Sequence, residues 1–143
     1  TGKVAVVYWS GTGNTEMMAQ KVAEGAKEAG AEVSVLTCAD FSADDVDAYD
    51  AIAFGCPAMG AEELEDTEFE PMFSACESKL SGKKIALFGS YGWGDGEWMR
   101  DWEARMQSAG AELVGGAGLM CHETPDAEGL EECKELGRQL ANA

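Results

Sequence analysis

Hydrophobic positions along this chain fall into two alternating patterns. Short apolar runs rich in β-branched residues, beginning with Val4–Tyr8 (VAVVY), have the length and continuity of strands buried on both faces. Between them, apolar residues recur at three- to four-residue spacing. Thr15 to Ala29 places Met18, Val22 and Ala26 at i, i+4 and i+8, with Gly30 as the stop. Val33 and Val35 alternate in a second strand, a short helical stretch is expected around Asp44–Ala48, and Ala51–Gly55 (AIAFG) reads as a third, buried strand. Phe69, Phe73, Cys76 and Leu80 mark the inner face of a helix closed by Gly82, and Ile85–Phe88 (IALF) is the fourth strand. Trp98, Trp102, Arg105, Met106 and Ala109 follow at helical spacing, ended by Gly110. A glycine-rich fifth strand is expected over Glu112–Met120, and Leu130, Cys133, Leu136 and Leu140 form the face of a last helix.

A β–α unit repeated five times with short connections predicts a parallel sheet covered by helices on both faces, a doubly wound α/β fold. No internal repeat, low-complexity tract or linker interrupts it, so residues 1–143 are expected to form a single domain. Ligands bind such sheets beyond the carboxyl ends of the strands, near the point where strand order reverses. The segments after Tyr8, Gly55 and Phe88 are therefore the ones to read for chemistry.

Ser10-Gly11-Thr12-Gly13-Asn14-Thr15 joins the first strand to the first helix. Its small residues let several backbone N–H groups converge, while Ser10, Thr12, Asn14 and Thr15 add side-chain donors. The helix that starts here contributes its positive N-terminal end. This is a phosphate cradle made of neutral groups. No Gly-Lys-Ser/Thr follows, so it is not a Walker loop, and Glu16 stands where the dinucleotide fingerprint needs glycine or alanine. With no Lys or Arg nearby, a single phosphomonoester fits better than a triphosphate with magnesium. The motif S-G-T-G-N-T after an apolar strand resembles the FMN phosphate loop of flavodoxins.

Pro57-Ala58-Met59-Gly60-Ala61-Glu62 follows the third strand and Ser90-Tyr91-Gly92-Trp93-Gly94-Asp95-Gly96 the fourth. A flat tricyclic ring needs apolar faces on both sides and backbone groups at its polar edge. Met59 offers a thioether face and Trp93 a large π-face, and the glycines around Trp93 let the backbone approach closely. M-G-x-E and G-S-Y-G-W-G-D are similar to the two ring loops of short-chain flavodoxins, and the likeness runs from end to end of the chain. It implies a five-stranded sheet of order 2-1-3-4-5 and non-covalent FMN, with Met59 packing on the inner face of the ring, Trp93 stacking on the outer face, Glu62 at the pyrimidine edge and Ser90 toward the phosphate or ribityl chain. Pro57, Ala58, Tyr91, Gly92 and Gly94 complete the two loops. Ala61 stands where the subgroup carries a polar residue, and the backbone role of Met59–Gly60 is independent of it.

The function implied is a low-potential one-electron carrier working between semiquinone and hydroquinone states. In the resemblance the Met59–Gly60 peptide reorients on reduction. Glycine tolerates that dihedral change, so Gly60→Val is expected to lower the semiquinone yield. The contrasting possibility is a small FMN-dependent quinone or NAD(P)H oxidoreductase of the same fold. The flavin domain uses the whole chain, which leaves no obvious segment for a substrate pocket, so the expectation is a carrier without substrate turnover of its own. A receiver domain is excluded, because Tyr8-Trp9-Ser10 and Gly55-Cys56-Pro57 stand where it needs acidic residues.

Charge sharpens this reading. The 143 residues carry 27 Asp and Glu against 10 Lys and Arg, a formal net charge of −17. That balance argues against nucleic acid and anionic membrane surfaces. Hydrophobic residues make up 45%, so the charge sits on a foldable chain. No apolar run approaches the ~20 residues of a membrane span, and no signal segment opens the chain. Glu62, Glu63, Glu65, Asp66, Glu68 and Glu70 surround the first ring loop, and Asp95 and Glu97 follow the second. A carboxylate ~10 Å from a reduced flavin opposes its negative charge by roughly 1.7 kcal/mol at an effective dielectric of 20. The same groups are expected to steer transient docking onto basic redox partners, alongside the plain reading of a solvated face.

Cys38, Cys56, Cys76, Cys121 and Cys133 are odd in number and form no C-x-x-C pair, which suits buried thiols in a reducing, cytoplasmic setting. Trp98 and Trp102 are expected in the core. Trp9 either shields the phosphate loop or packs ordinarily, and Tyr91 either borders the ring or supports Trp93. His122, without a partner motif, is given no catalytic role, and nothing in the pattern requires more than a monomer.

Overall fold

The apolar runs pair side by side. In the computed structural model, which describes residues 2–11, 13–59, 63–92 and 96–143, the strands are β1 (Lys3–Tyr8), β2 (Glu32–Thr37), β3 (Ala51–Gly55), β4 (Lys84–Tyr91), β5 (Glu112–Leu113) and β6 (Leu119–His122). All pairings are parallel, in the order β2-β1-β3-β4, with β5 and β6 both paired to β4. The sheet thus has the expected order 2-1-3-4-5. Its helices are α1 (Asn14–Glu28), α2 (Phe69–Glu77), α3 (Glu97–Ser108) and α4 (Ala127–Asn142).

The short helical stretch expected around Asp44–Ala48 is present as a 3-10 helix, Ala43–Ala48; Ser42 and Asp45 close a capping box over it, and the chain then returns to extended backbone at Tyr49. One expectation needs correction. The fifth strand is not continuous over Glu112–Met120. Gly115 and Gly116 adopt φ of +84° and +80°, which takes the chain out of the sheet after Val114, and it re-enters at Leu119. The carboxylate of Glu103 receives the Gly118 N–H at 2.6 Å and holds the detour against α3.

Alternation along the strands divides the core in two. Ala5, Val7, Ile52, Phe54, Ile85 and Leu87 face α2 and α3, whereas Val4, Val6, Ala51, Ala53, Ala86 and Phe88 belong to the layer of α1 and α4. Phe54, Phe69, Phe73 and Trp102 meet edge-to-face or stacked at centroid separations of 5.0–6.5 Å. Trp98 and Trp102 are buried, as their helical spacing predicts, and all five cysteines are buried and free. Across the other layer α1 and α4 approach until backbones touch. A Cβ on Gly25 would come 1.9 Å from the Lys134 carbonyl oxygen, and one on Gly137 1.9 Å from that of Val22. Among the described residues, no helix is long and apolar enough to cross a membrane.

Candidate functional site

At the carboxyl end of the sheet, hydrogen bonding continues beyond the strands and laces the loops together. The Trp9 N–H donates to Gly55 O at 3.0 Å, Cys56 to Phe88 O at 3.1 Å, Ala58 to Ser90 O at 3.0 Å and Glu123 to Tyr91 O at 2.6 Å. A cleft of about 250 Å³ opens over this seam, lined by Trp9, Gly11 and Asn14 from the first loop, Pro57, Ala58 and Met59 from the second, Ser90, Tyr91 and Gly92 from the third, and Glu123. Three loops far apart in sequence therefore share one cleft.

The first loop presents neutral donors. Gly13, at φ +94°, turns the chain into α1, a conformation that a residue with a Cβ adopts only at a cost. Gly13 at the N-cap has no side chain to cap this helix, and its first turn leaves N–H groups ahead of the first intrahelical bond, from Met17 to Gly13 O at 3.0 Å. Ser10 Oγ accepts the Gly13 N–H at 3.0 Å, which curls the loop. Thr15 is buried, its hydroxyl 3.1 Å from that of Ser90, and this contact joins the first loop to the end of β4.

The second loop is closed by the Met59 N–H donating to Glu63 O at 2.9 Å. Its base is fixed by the buried indole of Trp98, whose Nε1 donates to Cys56 O at 3.1 Å. Tyr91 packs against both Trp98 and His122, with centroids at 5.8 and 5.0 Å. The His122 ring nitrogen Nε2 lies 3.2 Å from Gly92 O. Among the predicted site residues, Ser10, Gly11, Gly13, Asn14, Thr15, Pro57, Ala58, Met59, Ser90, Tyr91 and Gly92 are brought to this end of the molecule. Thr12, Gly60, Glu62, Trp93 and Gly94 lie outside the described residues, as do Ala61 and Asp95.

Two further residues were not singled out by their pattern. Glu123 lines the cleft with φ +56°, a left-handed conformation uncommon for a residue with a side chain, and no motif announces it. Glu65, counted above only as one acidic residue among several, is buried. Burial alone would raise its pKa; hydrogen bonds from the Thr67 hydroxyl and the N–H groups of Phe69, Glu68 and Thr67 instead hold it at about 2. Burial pushes the Cys56 thiol far up, so at neutral pH it is a neutral group at the end of β3.

The donor set suits one phosphate ester joined to a flat, largely apolar group. Neutral hydroxyl, amide and backbone donors stand beside apolar walls formed by Trp9, Met59 and Tyr91, and among the described lining residues there is no Lys or Arg. Comparison with known proteins agrees. The Flavodoxin family profile matches residues 6–137. A flavodoxin of Megasphaera elsdenii is 51% identical over 140 residues, covering 98% of this chain and 99% of its own. The chain belongs to the flavodoxin family. A flavodoxin of Clostridium beijerinckii is 47% identical over 137 residues, covering 96% of this chain and 98% of its own. The solution structure of two-electron reduced Megasphaera elsdenii flavodoxin superposes with a TM-score of 0.87 at 50% identity, over 98% of this chain and 99% of that one. The family makes this chain a small electron carrier with FMN as its cofactor, and the alternative of a quinone or NAD(P)H oxidoreductase is not favoured.

Proposed function

We propose that FMN is held non-covalently in the cleft at the carboxyl end of the sheet, its phosphate on Ser10–Thr15 and its ring bounded by the loops 57–62 and 90–94. FMN supplies one-electron redox chemistry when bound. The protein's part is to orient the cofactor and to set the electrostatic surroundings of its ring. Ser10, Thr12, Asn14 and Thr15, with the N–H groups of the first turn of α1, would bind the phosphate without adding a positive charge. Met59 and Trp93 would cover the ring, Glu62 would meet its pyrimidine edge, and Gly60 would supply a peptide free to rotate.

The observation that carries this reading is the joining of an uncapped, neutral donor loop to apolar walls in one cleft. Charge placement supports the choice of partner. Segments 9–16, 56–70, 92–97 and 122–128 together contain twelve Asp and Glu and no Lys or Arg. Basic redox proteins would dock there transiently, with an association rate that falls as salt rises. The protein turns over no substrate of its own in this reading. Its five free thiols suit a reducing, cytoplasmic setting, and residues 1–143 act as one monomeric FMN-binding domain.

Titration of the apoprotein with FMN and with riboflavin, followed by quenching of flavin fluorescence, tests the phosphate assignment. Two charge-assisted hydrogen bonds contribute about 3 kcal/mol, so FMN is expected to bind roughly 100-fold more tightly than riboflavin. Equal affinities would remove the phosphate from the first loop.

A further inference from the structure

Beside the second loop stands a carboxylate to which neither the cleft nor the described ion pairs give a task. Glu65 is 5% exposed, and among the described residues its partners are N–H and O–H donors rather than cations. Its Oε1 accepts the Glu68 and Phe69 N–H groups at 2.8 and 2.9 Å. Its Oε2 accepts the Thr67 N–H at 3.0 Å and the Thr67 hydroxyl. Three of the donors belong to the turn that leads into α2, and the fourth, the Phe69 N–H, to its first residue.

The backbone of the same residue ties the loop on both sides. The Glu65 N–H donates to Cys56 Sγ at 3.4 Å, and its carbonyl receives the Glu70 N–H at 2.8 Å. Cys56 is fixed to the sheet through Phe88 O, so the entry and exit of residues 57–64 meet at one buried point. From Glu65 the network also runs outward. Glu68, whose N–H it binds, accepts the Trp9 indole Nε1 at 3.4 Å, and Trp9 lines the cleft beside the phosphate loop.

We propose that Glu65 is a positioning residue for the cofactor: it clamps the exit of the 57–64 loop to Cys56 and to the start of α2, and so fixes Met59 and the Met59–Glu63 turn against the ring. This inference rests on the reading that the cleft holds FMN. It differs from a helix-capping role, which would affect stability alone, and from a distant charge, which any neighbouring carboxylate would match. A clamp predicts that loop order, affinity for FMN and redox potential change together.

The test compares the FMN-loaded protein with Glu65→Gln and Asp66→Asn. Glutamine keeps the shape of Glu65 but turns an NH2 group toward donors, whereas Asp66 is an exposed neighbour carrying the same charge. Three quantities are read: hydrogen exchange of the Ala58 and Met59 amides, the FMN dissociation constant and the two one-electron midpoint potentials. Glu65→Gln is expected to accelerate Met59 exchange and weaken FMN binding, each by about tenfold, and to change the separation of the two potentials. Asp66→Asn is expected to leave exchange and affinity unchanged.

A folded Glu65→Gln protein indistinguishable from Asp66→Asn in all three readouts would overturn the clamp. If Glu65→Gln does not fold, Glu65→Asp, which keeps two acceptor oxygens on a shorter arm, decides by the same readouts. Wild-type protein that takes up no FMN would instead overturn the cofactor reading. Amide exchange in the unliganded protein then judges the clamp by itself.

Discussion

Glycine and glutamate stand both in the α1–α4 seam and in the loops at the carboxyl end of the sheet, with different consequences. In the seam, Gly25 and Gly137 are required because a Cβ would strike the backbone of the facing helix at 1.9 Å. In the loops, a Cβ built on Gly13 or Gly92 meets nothing within 4 Å among the described residues. Internal packing is the reason for the first pair; open space for a ligand is the reading offered for the second. The acids differ too. Glu24 pairs with Lys21 at 3.0 Å, and Glu28 with Lys134 and Arg138 at 3.1 and 3.2 Å. The loop segments contain no Lys or Arg of their own; Glu70 at their edge pairs with Arg105 of α3 at 2.7 Å, and Glu65 is satisfied by N–H and O–H donors. Among the described ion pairs, most lie where α1 and α4 pack, and Glu70 is the one carboxylate of the loop segments included.

The largest expected effect breaks the seam and spares the cleft. Gly137→Val forces a branched side chain against the Val22 carbonyl and should destabilise by about 3 kcal/mol, measured by urea unfolding of the apoprotein. FMN affinity of the folded fraction should be unchanged. A stable variant with weakened FMN binding would reverse the roles assigned to the two regions.

Acid should weaken the loops through Glu65. The pKa of Glu65 is depressed to about 2 from an unfolded value near 4.3, so its contribution is fully present above about pH 4.3 and is lost as the pH falls toward about 2. A loss of roughly 2 kcal/mol across that window is expected from its hydrogen bonds, and Glu65→Gln should flatten the dependence. Urea midpoints between pH 2 and 5 for the two proteins check this. The smallest effect belongs to the exposed pairs of the seam. Lys134→Gln should lower the urea midpoint only slightly, and less at high salt, because its partners Glu24 and Glu28 remain solvated.

Much of this contrast was legible in the residues. Ala51–Gly55 reads as a strand to the residue, because an unbroken apolar run bounded by Asp50 and Cys56-Pro57 has few other solutions. The helical spacing of Trp98 and Trp102 put both in the core. The proposed phosphate loop stands out because hydroxyl and glycine residues crowd the turn between a strand and a helix. The fifth strand was misread because the apolar residues on both sides of Gly115-Gly116 hide a reversal that only backbone dihedrals reveal. Glu65 was invisible for another reason. Its burial depends on donors contributed by a turn and a following helix, and no periodic pattern marks a carboxylate that the fold encloses. Glu123 joins the cleft through pairing of β6 with β4, a tertiary event far from the first three loops.

The most direct test of the account is to map FMN binding by amide chemical shifts in the ¹⁵N-labelled apoprotein. One equivalent of FMN should shift residues 10–15, 57–63, 90–94 and 123 while leaving the α1–α4 seam around Gly25 and Gly137 unmoved. Saturating shifts centred on the seam, or none at the three loops, would contradict it.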